Sequence, residues 1–211
     1  MRGLLTHAGH LYAAHGAAEV ERGYRLVVER MTSVQTALAA AGFNGLEISI
    51  GDTPSTSIVS DLGTVDEIRP GNFVYYDVMQ STIGSCTTDD IAVAVACPVI
   101  SKNRYRQQVA IYAGSVHLSR DFLTDQEGTR SFGLVALPTD HGWSEPLSGA
   151  YVVSVAQEQS VVALDAETWQ QLAIGDVLMV LPVHSCLTAD LLKEIVTLEG
   201  KSLPMLQLSA L

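Results

Sequence analysis

The stretch Leu46-Glu47-Ile48-Ser49-Ile50-Gly51-Asp52-Thr53-Pro54-Ser55-Thr56-Ser57 runs a short apolar strand straight into a loop of small, hydroxylated residues. Upstream, from Ala17 to Ala41, apolar residues recur at Val20, Tyr24, Val27, Val28, Met31, Val34, Leu38 and Ala41. Steps of three and four place them on one face of a long helix, and Gly42 sits where such a helix ends. Helix, strand and small-residue loop in succession are the rhythm of a parallel α/β unit.

Near Val65 the rhythm changes. Strand candidates follow one another at Phe73–Met79, Ile91–Ser101, Gln107–Ala113, Phe132–Leu137, Tyr151–Leu164, Asp176–His184 and Leu191–Leu208. The last reads as a hairpin turning at Glu199-Gly200-Lys201, and a short helix from Asp165 to Leu172 takes Asp165 as its N-cap. The expected fold is therefore mainly β with a small α/β part. Residues 1–64 form the α/β part, and residues 65–211 form a β-barrel or sandwich. One helix and one or two strands are too few for an α/β domain, so either residues 1–64 pack on the β-domain or an amino-terminal portion is missing, the second being the more economical reading.

Composition narrows the possible partners. Hydrophobic residues make up 47% of the 211 and charged residues 17%, which excludes a disordered chain. The net charge of −11 comes from 23 acidic and 12 basic side chains and repels phosphate backbones and anionic membranes, so neither nucleic acid nor a membrane is expected as a partner. Cys86, Cys97 and Cys186 are odd in number and irregularly spaced, which suits a reducing cytoplasm.

Three segments could carry chemistry. His184-Ser185-Cys186 follows the apolar run 177–183, and on an extended chain its outer residues face the same way, roughly 6–7 Å apart. Imidazole and thiolate so placed suit zinc, and two protein ligands leave coordination positions open. The alternative is a strand-end histidine beside a buried cysteine. Gly51 to Thr56 could cradle a phosphate dianion with N–H groups and hydroxyls, or be an ordinary loop. Thr6-His7-Ala8-Gly9-His10-Leu11-Tyr12 would follow a parallel strand, at the end where α/β folds bind ligands.

Taken in order, these segments resemble the carboxy-terminal part of the D-serine dehydratase and D-threonine aldolase family. The matching stretches are Thr6 to Tyr12, Gly51 to Ser55, Glu67-Ile68-Arg69-Pro70-Gly71-Asn72-Phe73-Val74-Tyr75-Tyr76-Asp77-Val78-Met79-Gln80 and Ile83-Gly84-Ser85-Cys86. Further on come Gly114 to Leu118 with Ser119 and Asp121, then Pro182-Val183-His184-Ser185-Cys186-Leu187-Thr188. The resemblance implies the tail of an alanine-racemase-like (β/α)8 barrel followed by a carboxy-terminal β-domain. It implies a metal-activated lyase with pyridoxal phosphate and zinc as cofactors and a D-3-hydroxy amino acid such as D-serine as substrate. Tyr12 would lie beside the cofactor as the catalytic candidate, Gly51, Thr53 and Ser55 would hold its phosphate, and Tyr76, Asp77 and Gln80 would face the substrate. His184 and Cys186 would bind zinc. Aldolases of the family usually show His-x-Asp there, so Cys186 points to the dehydratases; a homodimer is also implied.

This sequence departs from the family in three places. Gln157-Glu158-Gln159-Ser160 stands where Gln-Glu-His-Gly is common, and Tyr112 stands where many members have aspartate. The lysine that carries the cofactor is expected on a barrel strand, yet the only lysines are Lys102, Lys193 and Lys201, all in the β-rich part. The missing amino-terminal barrel half would supply it. The alternatives are an aldolase-type C–C lyase and a non-catalytic β-domain serving binding or dimerisation.

Overall fold

The computed structural model describes residues 1–205. By contacts the chain divides into two compact units, Met1–Asp90 and a second beginning at Ile91. The segment 65–90, assigned from sequence to the β-rich part, thus packs with the first unit.

In the first unit, strand β1 (Gly3–His7) is followed by a 3-10 turn, Gly9–Ala13, and by helix α1 (Ala17–Ala40). Gly42, at φ 94°, ends α1, and the Phe43 N–H reaches back to the Leu38 carbonyl at 2.9 Å. Strand β2 (Glu47–Gly51) pairs in parallel with β1, and the short β3 (Glu67–Ile68) pairs in parallel with β2. Val20, Tyr24 and Val27 of α1 are buried, as are Ile48 and Ile50 of β2, whereas Val34 on the same helical stripe is exposed.

Two sequence expectations fail in this unit. The loop after Gly51 is helix α2 (Thr53–Ile58), because the Asp52 carboxylate caps it by accepting the Ser55 N–H at 2.7 Å. The strand expected at Phe73–Met79 is a 3-10 turn, Asn72–Val74, followed by helix α3 (Val78–Ile83). Asp77 caps α3, accepting the Gln80 N–H at 2.8 Å, and Gly84 closes it at φ 94°. Local capping overrides the strand propensity of Phe73, Val74, Tyr75 and Val78.

The second unit is built on a closed antiparallel barrel. Strands β4 (Val95–Asn103) and β5 (Gln108–Ile111) lead to the short helix α4 (Ser115–Leu118). A small hairpin of β6 (Leu123–Thr124) and β7 (Arg130–Ser131) precedes β8 (Gly133–Ala136), and a second, β9 (Pro138–Thr139) with β10 (Gly142–Trp143), follows it. Then come β11 (Tyr151–Val155), β12 (Ser160–Ala163), helix α5 (Ala166–Gln171), β13 (Val177–Pro182) and helix α6 (Ser185–Leu192). The barrel order is β11-β12-β5-β4-β13-β8, and β8 closes it on β11.

Register shifts between Val99 and Ser101 and between Val152 and Ser154 supply the local bending that a closed sheet needs. Cys97, Val99, Val109, Ile111, Val135, Val152, Val162, Leu178 and Val180 fill the interior. The expected single strand Tyr151–Leu164 is the hairpin β11–β12, with Gln157 to Gln159 in its turn. Asp165 does cap α5, accepting the Glu167 and Thr168 N–H groups at 2.9 Å. The carboxy-terminal hairpin pairs β14 (Glu194–Val196) with β15 (Ser202–Pro204) around Gly200; Leu206 to Leu208 of the expected strand lie outside the described residues. Among the described residues no helix is long and apolar enough to cross a membrane.

Candidate functional site

The carboxy-terminal ends of the three parallel strands carry most of the residues singled out in the first unit. Gly51 ends β2, and a methyl group there would come within 2.7 Å of the Arg69 guanidinium. Arg69 leaves β3 and is pinned, donating to Ser49 Oγ at 2.7 Å and to the Thr6 carbonyl at 2.8 Å. Glycine at 51 leaves room for the cation lying over it, and a side chain there would push the guanidinium from these bonds.

Around this point a chain of hydrogen bonds joins the candidates. The Thr53 N–H reaches Tyr12 Oη at 3.4 Å, and Thr53 Oγ accepts the Asn72 N–H at 3.0 Å. The Asn72 amide donates to the Asp77 carboxylate, whose other oxygen caps α3 at Gln80. Tyr76, its backbone in the left-handed region at φ 47°, shares a hydrogen bond with Ser57 Oγ at 3.1 Å. A bulky residue holds that conformation only when its surroundings impose it, a cost usually tolerated at functional sites. The Tyr12 ring lies 5.7 Å from that of His7. Burial, the largest cause, raises the Tyr12 phenol above its ordinary range, with Asp52 and Asp77 adding to the rise. The hydroxyl is therefore a proton holder at neutral pH.

Asp52, Thr53, Ser55, Asn72, Asp77 and Gln80 are all buried. Yet Asp52 Oδ2, Ser55 Oγ, Asn72 Oδ1, both side-chain polar atoms of Gln80, and Ser85 Oγ have no hydrogen-bond partner. Buried polar atoms ordinarily find partners, so a concentration of orphans marks a place that a polar ligand or ordered water completes. A separate groove of ≈ 380 Å³ between α1 and residues 59–63, lined by Tyr24, Arg25 and Leu62, contains none of these residues.

Sequence reasoning did not single out Asp52, Asn72 and Arg69 as site residues, although they stood in the quoted motifs. The pattern Asp52-x-x-Ser55 with Pro54 in the first turn, and Asp77-x-x-Gln80, are helix-start signals that could have placed two of the carboxylates.

In the second unit His184 and Cys186 are not on one extended strand. His184 is the N-cap of α6 (φ −135°, ψ 95°), and Cys186 lies in its first turn. His184 Nδ1 lies 3.1 Å from Asp121 Oδ2. No group of three or more His, Cys, Asp or Glu that could hold a metal occurs among the described residues. A nitrogen–sulfur donor pair suits zinc, and two donors fit an open site rather than a closed structural one.

The two departure positions fall at the opposite end of α4. Gly114 abuts the β11–β12 turn so closely that a methyl group would come within 2.3 Å of the Gln157 carbonyl. Ser160 is buried and donates to the Ala113 carbonyl, so it anchors this approach, while Gln159 is exposed. Tyr112 packs edge-on to the His117 ring at 5.5 Å, and His117 Nδ1 accepts the Gly114 N–H at 3.0 Å.

The architecture is shared with alanine-racemase-like proteins: a structure of such a protein from Idiomarina loihiensis is 27% identical, with a TM-score of 0.84, over 95% of this chain and 54% of that one. A family model described as a putative serine dehydratase domain matches residues 92–198, and the chain belongs to that family. It is 31% identical to the D-serine dehydratase of Dictyostelium discoideum over 92% of this chain and 49% of the relative. It is 30% identical to the D-threo-3-hydroxyaspartate dehydratase of a Delftia strain over 88% of this chain and 50% of that one. A structure of D-threo-3-hydroxyaspartate dehydratase, a cysteine-to-alanine mutant in the metal-free form, superposes with a TM-score of 0.81 at 25% identity, over 97% of this chain and 55% of that one. The chain spans about half the length of the curated relatives it matches.

Proposed function

We propose that these residues are part of a pyridoxal-phosphate- and zinc-dependent lyase that dehydrates D-3-hydroxy amino acids such as D-serine. The observation that carries this reading is the set of orphaned, buried polar atoms in the first unit of a dehydratase-family chain. The residues present fit the cofactor. Ser55 Oγ has no partner, and the Thr53 hydroxyl, which accepts the Asn72 N–H and bonds to Tyr12, stands beside it as a second hydroxyl for a phosphate oxygen. Tyr12 holds a phenolic proton beside Thr53, and Gln80 and Asn72 offer amide groups to a polar ligand. Bound pyridoxal phosphate supplies an electron sink for the bonds to the substrate's α-carbon. Zinc on His184 and Cys186 would make the β-hydroxyl a better leaving group, as a Lewis acid.

No lysine occurs in the first unit. In the second, Lys102 is bound to the Trp169 and Leu172 carbonyls, Lys193 pairs with Asp190, and Lys201 is exposed beside the turn of the carboxy-terminal hairpin. The cofactor-bearing lysine therefore belongs, in this reading, to a polypeptide segment outside these 211 residues. A homodimer and a reducing cytoplasm belong to the same proposal, the latter because no disulfide joins the three cysteines.

The test is to assay the chain together with a polypeptide supplying parallel barrel strands and a lysine. Ammonia and a keto acid should form from D-serine or D-threo-3-hydroxyaspartate and cease on chelation of zinc. Glycine and an aldehyde as products would replace dehydration by C–C cleavage, and turnover of no D-3-hydroxy amino acid would refute the reading.

A further inference from the structure

His184 stands between two groups: the helix it caps and the Asp121 carboxylate. Its carbonyl accepts the Thr188 N–H at 3.2 Å, fixing the residue at the start of α6. Asp121 is fixed from its own side. Ser119, buried and in the left-handed region at φ 68°, turns the chain after α4, and its Oγ accepts the Asp121 N–H at 3.1 Å. The carboxylate thus reaches His184 Nδ1 at 3.1 Å from a constrained backbone, with both side chains about a third exposed (31% and 37%).

An ionised carboxylate only accepts hydrogen bonds, so the 3.1 Å contact requires a proton on Nδ1. In a neutral imidazole that leaves Nε2 bare, with its lone pair available. Metals bind the bare nitrogen, and the partner of the other nitrogen decides which one that is.

We propose that Asp121 is a positioning residue that sets the His184 tautomer, presenting Nε2 as the metal ligand. This rests on the reading of His184 and Cys186 as the zinc pair. Asp121 touches neither metal nor substrate; it acts through the ring. Without it, His184 loses the partner that holds the Nδ1 proton, and nothing then fixes which ring nitrogen carries it.

The test uses the 211-residue chain without cofactor, and zinc itself as the probe. Heteronuclear NMR well above the ordinary imidazole range should show His184 protonated at Nδ1 alone. In Asp121→Ala the ring should shift toward the Nε2–H form, and zinc affinity, measured by chelator competition, should fall about 10–100-fold. Asp121→Asn, whose side-chain carbonyl still accepts the Nδ1 proton, should retain the tautomer and most of the affinity. His184→Ala should lose the zinc. An Nε2–H or doubly protonated ring in the wild type would overturn the proposal, as would zinc affinity within about twofold of wild type in a folded Asp121→Ala. If His184→Ala loses zinc while Asp121→Ala keeps it, only the positioning role fails. If the wild type binds no zinc, or His184→Ala binds it unchanged, the metal reading fails and takes this inference with it.

Discussion

Both units bury apolar side chains, but they differ in the polar groups buried beside them. The barrel of the second unit encloses Cys97, Val99, Val109, Ile111, Val135, Val152, Leu178 and Val180, an apolar interior with backbone groups paired around a closed sheet. The first unit, with the smaller sheet, buries Asp52, Thr53, Ser55, Asn72, Asp77 and Gln80. It leaves orphaned polar atoms on five residues, counting Ser85, against Thr188 Oγ alone among the described residues of the second. An interior of the first kind is completed by its own packing. One of the second kind is stabilised when something else binds, because each unmet buried polar group costs about 1–3 kcal/mol. On the proposed function, the difference separates a scaffold from a receptacle.

The comparison breaks most visibly if the barrel core is opened. Leu178, fully buried in β13, should cost about 2–5 kcal/mol when changed to alanine, read from the urea midpoint. A loss below about 1 kcal/mol would mean that the barrel is not the tightly packed element it is taken to be.

Burial in the same barrel pushes the Cys97 thiol from 9.0 up to about 12. The folded value lies above the unfolded one, so the folded state holds the proton more tightly. The resulting stability is complete below about pH 9 and is lost as pH rises through about 12. Wild type should lose stability in that alkaline window faster than Cys97→Ala. Parallel pH profiles of the urea midpoint for the two proteins would contradict the burial argument.

Much of this contrast was readable in the residues, and its limits are physical. The α1 stripe and Gly42 set the helix almost to the residue, and Asp165 announced α5. The apolar runs 91–101, 107–113 and 176–184 marked the barrel strands observed at 95–103, 108–111 and 177–182, although whether two sheets stacked or one closed depends on non-local pairing that no window reveals. Errors clustered where short polar caps compete with β-propensity. Phe73-Val74-Tyr75-Tyr76 reads as strand, yet Asp77 beginning α3 decides otherwise. At His184 an extended reading likewise gave way to a helix start, and at Asp52 a loop reading did. For the site, loop composition pointed to the hydroxyls after Gly51, and the family resemblance pointed to Gln80. Only the fold shows that Asn72 links Thr53 to Asp77, or that Asp121, 63 residues before His184, meets its ring.

The smallest stability effect is expected at Gln80. Gln80 is fully buried and neither polar atom of its side chain has a partner, so Gln80→Met removes the unmet groups while nearly conserving volume. Urea denaturation of wild type and Gln80→Met should be compared with and without pyridoxine phosphate, an analogue with no aldehyde to react. The ligand-free variant should match wild type or gain about 1 kcal/mol, and stabilisation by the ligand in wild type should be lost or reduced in the variant. A variant destabilised by about 1 kcal/mol or more, together with no response of the wild type to the ligand, would contradict it. Those atoms would then be satisfied within the fold, and the first unit would be a scaffold like the second.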